Sequence, residues 1–302
     1  MRFGLLGTGY WATETQATAL AAHPRAELVA VWGRDPAKAG AVAERFGLQA
    51  YELIDDLLAQ VDAVAVALPP HIQAPLAARA ARAGKHLLLD KPLSLTVDDA
   101  EDVVAATRET GVANLVFFTN RFDPVVAAAL SEAEQTGGWF AGRVSLFGAI
   151  DTPGSPYAQS QWRHEQGGLW DVGPHALARL LPVLGPVRQV TALAGARLTG
   201  HVLLRHESGA VSEMSLTIHA PQAAGHFNNV FYGESGILEL PGGSISAVEA
   251  FGNAVDELLA LAQAPGATHP CDVVFAAQVV RILHAAVESV ESGRTITVAP
   301  SR

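Results

Sequence analysis

Between residues 3 and 118, short apolar runs take turns with stretches whose apolar residues recur every three or four positions. The runs 3–6, 28–32, 61–68, 86–89 and 114–118 are almost wholly apolar, the pattern of strands buried on both faces. Stretches 13–22, 36–46 and 75–83 have helical spacing. A fourth begins after Thr96, a candidate N-cap with acids behind it, and stops at Gly111. Pro36 suits a first helical turn and Gly84 a helix end. Strand and helix in alternation predict an α/β unit, a doubly wound parallel sheet covered on both faces.

Beyond about residue 140 the pattern changes. Runs 143–150, 187–198, 201–220, 227–241 and 295–300 are strand-like and broken by glycine-containing turns, with a hairpin expected around "HESGA". Helical stretches interrupt them near 167–184 and 270–291. This predicts a second, α+β domain with a large, mostly antiparallel sheet. The expected division is 1–120 and 121–302, with no linker or internal repeat.

Composition narrows the functional classes. A net charge of -10 over 302 residues argues against a nucleic-acid or anionic-membrane partner. No uninterrupted apolar run approaches the ~18 residues a membrane span needs. The first residues enter a strand-like run directly, so no signal peptide is expected. A single cysteine, Cys271, forms no intrachain disulfide and fits a cytoplasmic location. It is expected to pack as a small hydrophobe.

The first strand runs into "GTGYWA". Gly7, Gly9 and Ala12 fill a G-x-G-x-x-A pattern. The first glycine permits a tight turn, the second lets a pyrophosphate approach the backbone, and the small third residue lets helix pack on strand. Phosphates then sit at a helix N-terminus. The strand–turn–helix context identifies a Rossmann-type dinucleotide site. At the end of the second strand, where an acid would hold the ribose hydroxyls of NAD, stand Gly33 and Arg34. A guanidinium without a competing acid favours the 2′-phosphate of NADP.

The chain has three lysines, Lys38, Lys85 and Lys91. Lys91 follows the fourth apolar strand at the carboxyl edge of the sheet, where doubly wound folds bind ligands. It can hydrogen-bond a substrate hydroxyl or a carbonyl oxygen gaining charge. The Lys91–Pro92 peptide is open to either isomer. In "GGLWDVGPHAL", Asp171 and His175 are four residues apart, on one face of a helix or at a helix entry with Pro174 in its first turn. A histidine can move a proton near neutral pH, and a carboxylate can orient its ring. No cluster of histidines and acids with metal-ligand spacing is recognisable, so no metal is expected.

Taken together these residues resemble the Gfo/Idh/MocA oxidoreductases over nearly the whole chain. "GTGYWA", with Thr8, Tyr10 and Trp11, falls at that family's dinucleotide loop. "DKP", Asp90 to Pro92, matches its Glu-Lys-Pro signature with Asp for Glu, and "DVGPH" matches its Asp-x-x-x-His pair. The resemblance implies cofactor contacts at Leu68, Pro69, His71, Asp90 and Lys91. Catalytic roles fall to Lys91, Asp171 and His175, and lower-ranked substrate or cofactor contacts to Asn120, Arg121, Trp162 and Arg163. Ala178 stands where many members carry another aspartate used on polyols. The implied activity is hydride transfer between NADP (or NAD) and a small sugar, sugar derivative or cyclitol. The implied assembly is a homodimer or homotetramer through an open sheet face. A dinucleotide-binding regulator or scaffold, or an enzyme of hydrolysis or elimination using the dinucleotide as a transient redox helper, would share the fold.

Overall fold

The computed structural model describes residues 1–299. Its first sheet has six strands, β1 (Arg2–Leu6), β2 (Glu27–Trp32), β3 (Gln49–Tyr51), β4 (Ala63–Val66), β5 (His86–Asp90) and β6 (Asn114–Phe117). All pair in parallel, in the order β3-β2-β1-β4-β5-β6. The expected α/β class is found. Between their ends the strands are apolar because both faces are covered: Phe3, Leu5, Val64, Leu88 and Phe117 are fully buried.

Helices fill the crossovers: α1 (Thr18–Ala22), α2 (Pro36–Phe46), α3 (Ile54–Leu58), α4 (Pro70–Arg82) and α5 (Val97–Thr110). Local chemistry sets their ends. Asp35 caps α2 by accepting from the Ala37 and Lys38 amides, and Gly47 closes it in the left-handed region at φ 70°. Thr96 and Gly111 do the same for α5. α1 is preceded without a break by a π-helical segment, Trp11–Ala17. Helix α4 starts at Pro70, five residues before the expected stretch, because the ring of Pro70 suits a first turn and Pro75 is accommodated within the helix.

The second sheet has seven strands: β7 (Trp139–Phe147), β8 (Val187–Ala194), β9 (Gly200–His206), β10 (Val211–Thr217), β11 (His226–Gly233), β12 (Gly236–Glu239) and β13 (Ile296–Thr297). Their order is β12-β11-β7-β10-β9-β8-β13, antiparallel except for β7 and β10. The expected run 295–300 contributes only β13, and Pro300 lies outside the described residues. The remaining helices are α6 (Pro124–Thr136), α7 (Gln161–Asp171), α8 (Gly173–Leu184), α9 (Ala247–Ala262) and α10 (Val273–Ser292). On one side of this sheet α8 covers β7 and β10. The other side alternates outward and exposes Leu193, Leu203, Val211 and Ile237 beside an Arg143–Glu213 ion pair.

The chain folds as two compact units, Met1–Asp123 with Ile245–Ala277, and Pro124–Ser244 with Gln278–Arg302. A single boundary near residue 120 does not describe this, since residues 245–277 return to the first unit. There α9, opened by a Ser246–Glu249 capping box, packs on β5 and β6, and Phe251 meets Phe117 edge-on at 5.0 Å. Among the described residues one helix, α10, is long and apolar enough by length and composition to cross a membrane. Its hydropathy is spread around interspersed polar residues rather than held in one run, and 61% of its most apolar window is buried inside the protein.

Each unit holds a histidine whose charged form is disfavoured. Burial lowers the pKa of His86, whose Nδ1 accepts from the Ala113 amide, against an opposing pull from Asp62. Burial also lowers that of His206, which donates to the Gly185 carbonyl and accepts from Ser212. A histidine with a depressed folded pKa contributes stability that is present above its unfolded value and lost as pH falls through the folded one. Stability is therefore expected to fall between pH 6.5 and pH 5, by up to about 1.4 kcal/mol per pH unit for each ring. Urea midpoints at the two pH values check this, and a flat response would contradict it.

Candidate active site

In the first unit, the turn after β1 is built for a backbone no side chain can enter. Gly7 has φ +135°, and a Cβ there would lie 2.5 Å from the Ala67 carbonyl oxygen, at the end of β4. Its amide donates to the Trp32 carbonyl at 2.9 Å, tying the turn to β2. Gly9, by contrast, faces open space: a methyl group there would meet nothing within 4 Å, so a ligand can reach its backbone. Ala12 is buried under Gly7. Thr8 and Trp11 are half-buried and Tyr10 is exposed. The Trp11 indole Nε1 is buried without a hydrogen-bond partner, a donor aimed at no protein acceptor. The cradle at Gly9, the first-turn amides of the helix and this orphan donor fit a dinucleotide.

At the end of β2, Gly33 lies under Thr8: an added Cβ would come within 2.6 Å of Thr8 Cγ2. The acid common at this position cannot stand there unless Thr8 moves. Arg34 is exposed, and Asp35 is committed to capping α2 rather than to its neighbour. Leu68 and Pro69 are half-buried in the turn after β4, and His71 is exposed in the first turn of α4.

The turn after β5 is held by a residue that sequence reasoning missed. The buried Gln73 side chain accepts from the Asp90 amide at 3.0 Å and donates toward the carbonyls of Asp90, Pro92 and Leu93 at 2.7, 3.1 and 3.3 Å. The Lys91 amide donates to Asp90 Oδ1 at 2.9 Å, and the Lys91–Pro92 bond is cis. Neighbouring side chains thus fix the backbone around Lys91. Asn120 and Arg121 lie in a 3-10 turn, Thr119–Phe122, with the Arg121 guanidinium 5.9 Å from the Phe275 ring centre. Cys271 is buried, and burial pushes its thiol up to about 11, which keeps it from acting as a nucleophile.

In the second unit, Asp171 ends α7 and His175 lies in the first turn of α8, with Pro174 at its entry. The helix-entry geometry therefore holds rather than one continuous helix. Arg163 Nε is 3.3 Å from Asp171 Oδ2. Eight residues of straight helix would separate the two by about 12 Å; the kink at Gly167, φ 65° and ψ -164°, brings them together. The Arg163 guanidinium also lies over the rings of Tyr157 and Trp162, at 4.5 and 4.6 Å, and donates to Ser160. Arg163 is thus committed within its own unit. Ala178 is buried on α8, one turn past His175. The structure also assembles a group that no sequence spacing announced, Asp151, His164 and His219.

The N-terminal region, residues 1–118, matches the family described as oxidoreductases with an NAD-binding Rossmann fold. A dTDP-3,4-didehydro-2,6-dideoxy-alpha-D-glucose 3-reductase from Streptomyces antibioticus is 31% identical over 226 residues, 71% of this chain and 68% of that protein. A D-xylose 1-dehydrogenase (NADP(+)) from Haloferax volcanii is 28% identical over 74% of this chain and 71% of its own. The fold also matches the WlbA dehydrogenase of Bordetella pertussis, solved with NADH and UDP-GlcNAcA, at TM-score 0.84 and 22% identity, over 99% of this chain and 98% of that one. The glycine turn, the parallel sheet and these likenesses converge on one assignment: the chain belongs to the Gfo/Idh/MocA family of oxidoreductases.

Proposed function

We propose that this oxidoreductase works with NADP in preference to NAD, on a hydroxyl or carbonyl carbon of a sugar derivative. The observation that carries the cofactor choice is Gly33 packed against Thr8 with Arg34 exposed beside it. The strand-end position itself carries no acid to repel a 2′-phosphate, and the guanidinium offers a bidentate partner for one. The sugar class is supported by the relatives, which include a dTDP-sugar reductase and a D-xylose dehydrogenase.

When bound, the nicotinamide supplies hydride transfer. The protein supplies charge and protons. Lys91 places its ammonium at the reacting oxygen and stabilises the negative charge that develops there. His175 takes the hydroxyl proton in the oxidation direction and returns it in reduction. Asp171 orients and supports the charged ring, and Arg163, by its ion pair, holds that carboxylate in place. Arg163 thereby acts as a positioning residue and Trp162 as the plate it stacks on. A second copy of the chain covers the open sheet face that exposes Leu193, Leu203, Val211 and Ile237.

Fluorescence titration with NADPH and NADH tests the cofactor choice. NADPH is expected to bind more tightly, and Arg34→Ala to weaken it about tenfold, equivalent to about 1.4 kcal/mol for a lost charge-assisted contact, with NADH changed less. Equal affinities in the unaltered protein would overturn the preference.

A further inference from the structure

The second unit holds two histidines and an acid to which the proposed mechanism gives no role. We propose that Asp151, His164 and His219 form a binding site for a divalent transition-metal ion, Zn2+ foremost, which clamps the turn-rich segment after β7 onto α7 and the end of β10. One potential ligand atom from each residue lies within 4.8 Å of those of the other two.

The backbone places these groups before any ion arrives. His219 follows β10, where its amide donates to Thr217 Oγ1 and its carbonyl accepts from Arg197. It bridges to Ala149, and the flanking Gly148 and Ile150 amides donate to Thr217 and Ile218. Asp151 is the next residue out of that ladder, so its carboxylate meets the His219 ring, Oδ2 to Nδ1, at 2.7 Å. His164 lies in the first half of α7. Its Nε2 is 2.8 Å from the Ala158 carbonyl, which can only accept, so Nε2 carries the proton. The neutral ring then presents the bare lone pair of Nδ1 toward Asp151 Oδ1, 4.0 Å away.

That arrangement suits a cation. A lone pair and a carboxylate face each other across a gap. The His164 and His219 rings stack at 5.3 Å and 27°, which brings two imidazoles to one place. The Nε2 of His219 is buried without a hydrogen-bond partner. A carbonyl fixing the distal nitrogen of a ligating histidine is the usual support for a metal-binding tautomer. Two imidazoles and a carboxylate suit zinc, iron or cobalt over magnesium or calcium. Tetrahedral ligands at zinc bond lengths stand about 3.4 Å apart. Closure therefore asks mainly for His164 to move toward a pair already in contact. Three protein ligands leave one position for water.

The test does not involve dinucleotide or turnover, so it stands or falls separately from the proposed function. The chelator-treated full chain is titrated with ZnCl2 against a zinc-binding dye, and bound metal is counted after gel filtration. The expected result is one zinc per chain, with affinity weakened at least tenfold in Asp151→Asn, His164→Gln and His219→Gln. His201→Gln, altering an exposed histidine paired with Ser215, is expected to bind as the parent does. Co2+ in place of zinc is expected to show the intense visible bands of a four-coordinate ion. Circular dichroism in chelator reports folding. If His219→Gln fails to fold, Asp151→Asn, on an exposed turn, carries the decision. No retained zinc in the parent, or one full equivalent retained by all folded variants, would overturn the proposal.

Discussion

Lys91→Ala is expected to lower turnover ~10²-fold or more while the protein folds as before. The structure makes this separation possible. The turn carrying Lys91 is held by the Gln73 amide through four contacts and by the Asp90 carboxylate, all to backbone atoms. Truncation at Cβ leaves those bonds untouched and removes the ammonium with its alkyl stem. A loss of charge stabilisation at the reacting oxygen appears in kcat and in kcat/KM alike. His175→Ala is expected to cost a similar factor, since it removes the proton carrier. If both groups act in one step, as proposed, the double variant should lose less than the product of the two single losses. Steady-state kinetics with a substrate found by a sugar and carbonyl screen checks this. Turnover within threefold of the parent for either single variant would remove that residue from the mechanism.

Gly168→Ala is expected to destabilise the protein by roughly 3 kcal/mol, the upper range for a methyl forced into filled space. A Cβ there would lie 2.5 Å from Thr217 Cα, 2.8 Å from its nitrogen and 2.9 Å from its carbonyl carbon. These are backbone atoms of β10, a strand hydrogen-bonded on both sides by β7 and β9, so the neighbour cannot step aside. Relief must come from lifting α7 away, and α7 carries both Arg163 and Asp171. The same variant should therefore loosen their ion pair and lower turnover in whatever fraction stays folded. The comparison is Gly9→Ala, whose methyl meets nothing within 4 Å. That variant should keep its stability and lose dinucleotide affinity instead. Urea denaturation of the pair, read beside cofactor titration, distinguishes them. A cost below about 1 kcal/mol for Gly168→Ala would show that the helix–strand contact yields easily.

The elements legible in the sequence are those whose signal is local. Continuous apolar strands, the Asp35 and Thr96 caps and the glycine turn after β1 each depend on residues a few positions apart. Helix α9 escapes the sequence reading although its Ser246–Glu249 capping box is a local signal; "AVEAFGNAVDELLALA" sits among strand-like runs and belongs to a unit it does not adjoin in sequence. The short edge strand β3 has three residues and too little pattern to be read. Gln73 looks like any polar residue on a helix, because its partners lie 17 to 20 residues away. Sequence alone points Arg163 toward substrate, and only the kink at Gly167 reveals its pairing with Asp171. Asp151, His164 and His219 have no spacing to notice, since a strand bridge and a helix turn bring them together.

The return of residues 245–277 to the first unit has a consequence for biosynthesis. A ribosome releases the last strand of the parallel sheet, β6, more than a hundred residues before it releases α9, which covers β5 and β6. For that interval Phe117 lacks the Phe251 ring that later packs against it. The dinucleotide-binding unit thus starts first and is completed late, after most of the second unit has emerged. Such a nascent chain offers an uncovered apolar face to chaperones. An excised fragment ending near residue 120 should be sticky and poorly soluble, whereas a fragment joining 1–123 to 245–277 through a short linker keeps the covering helix.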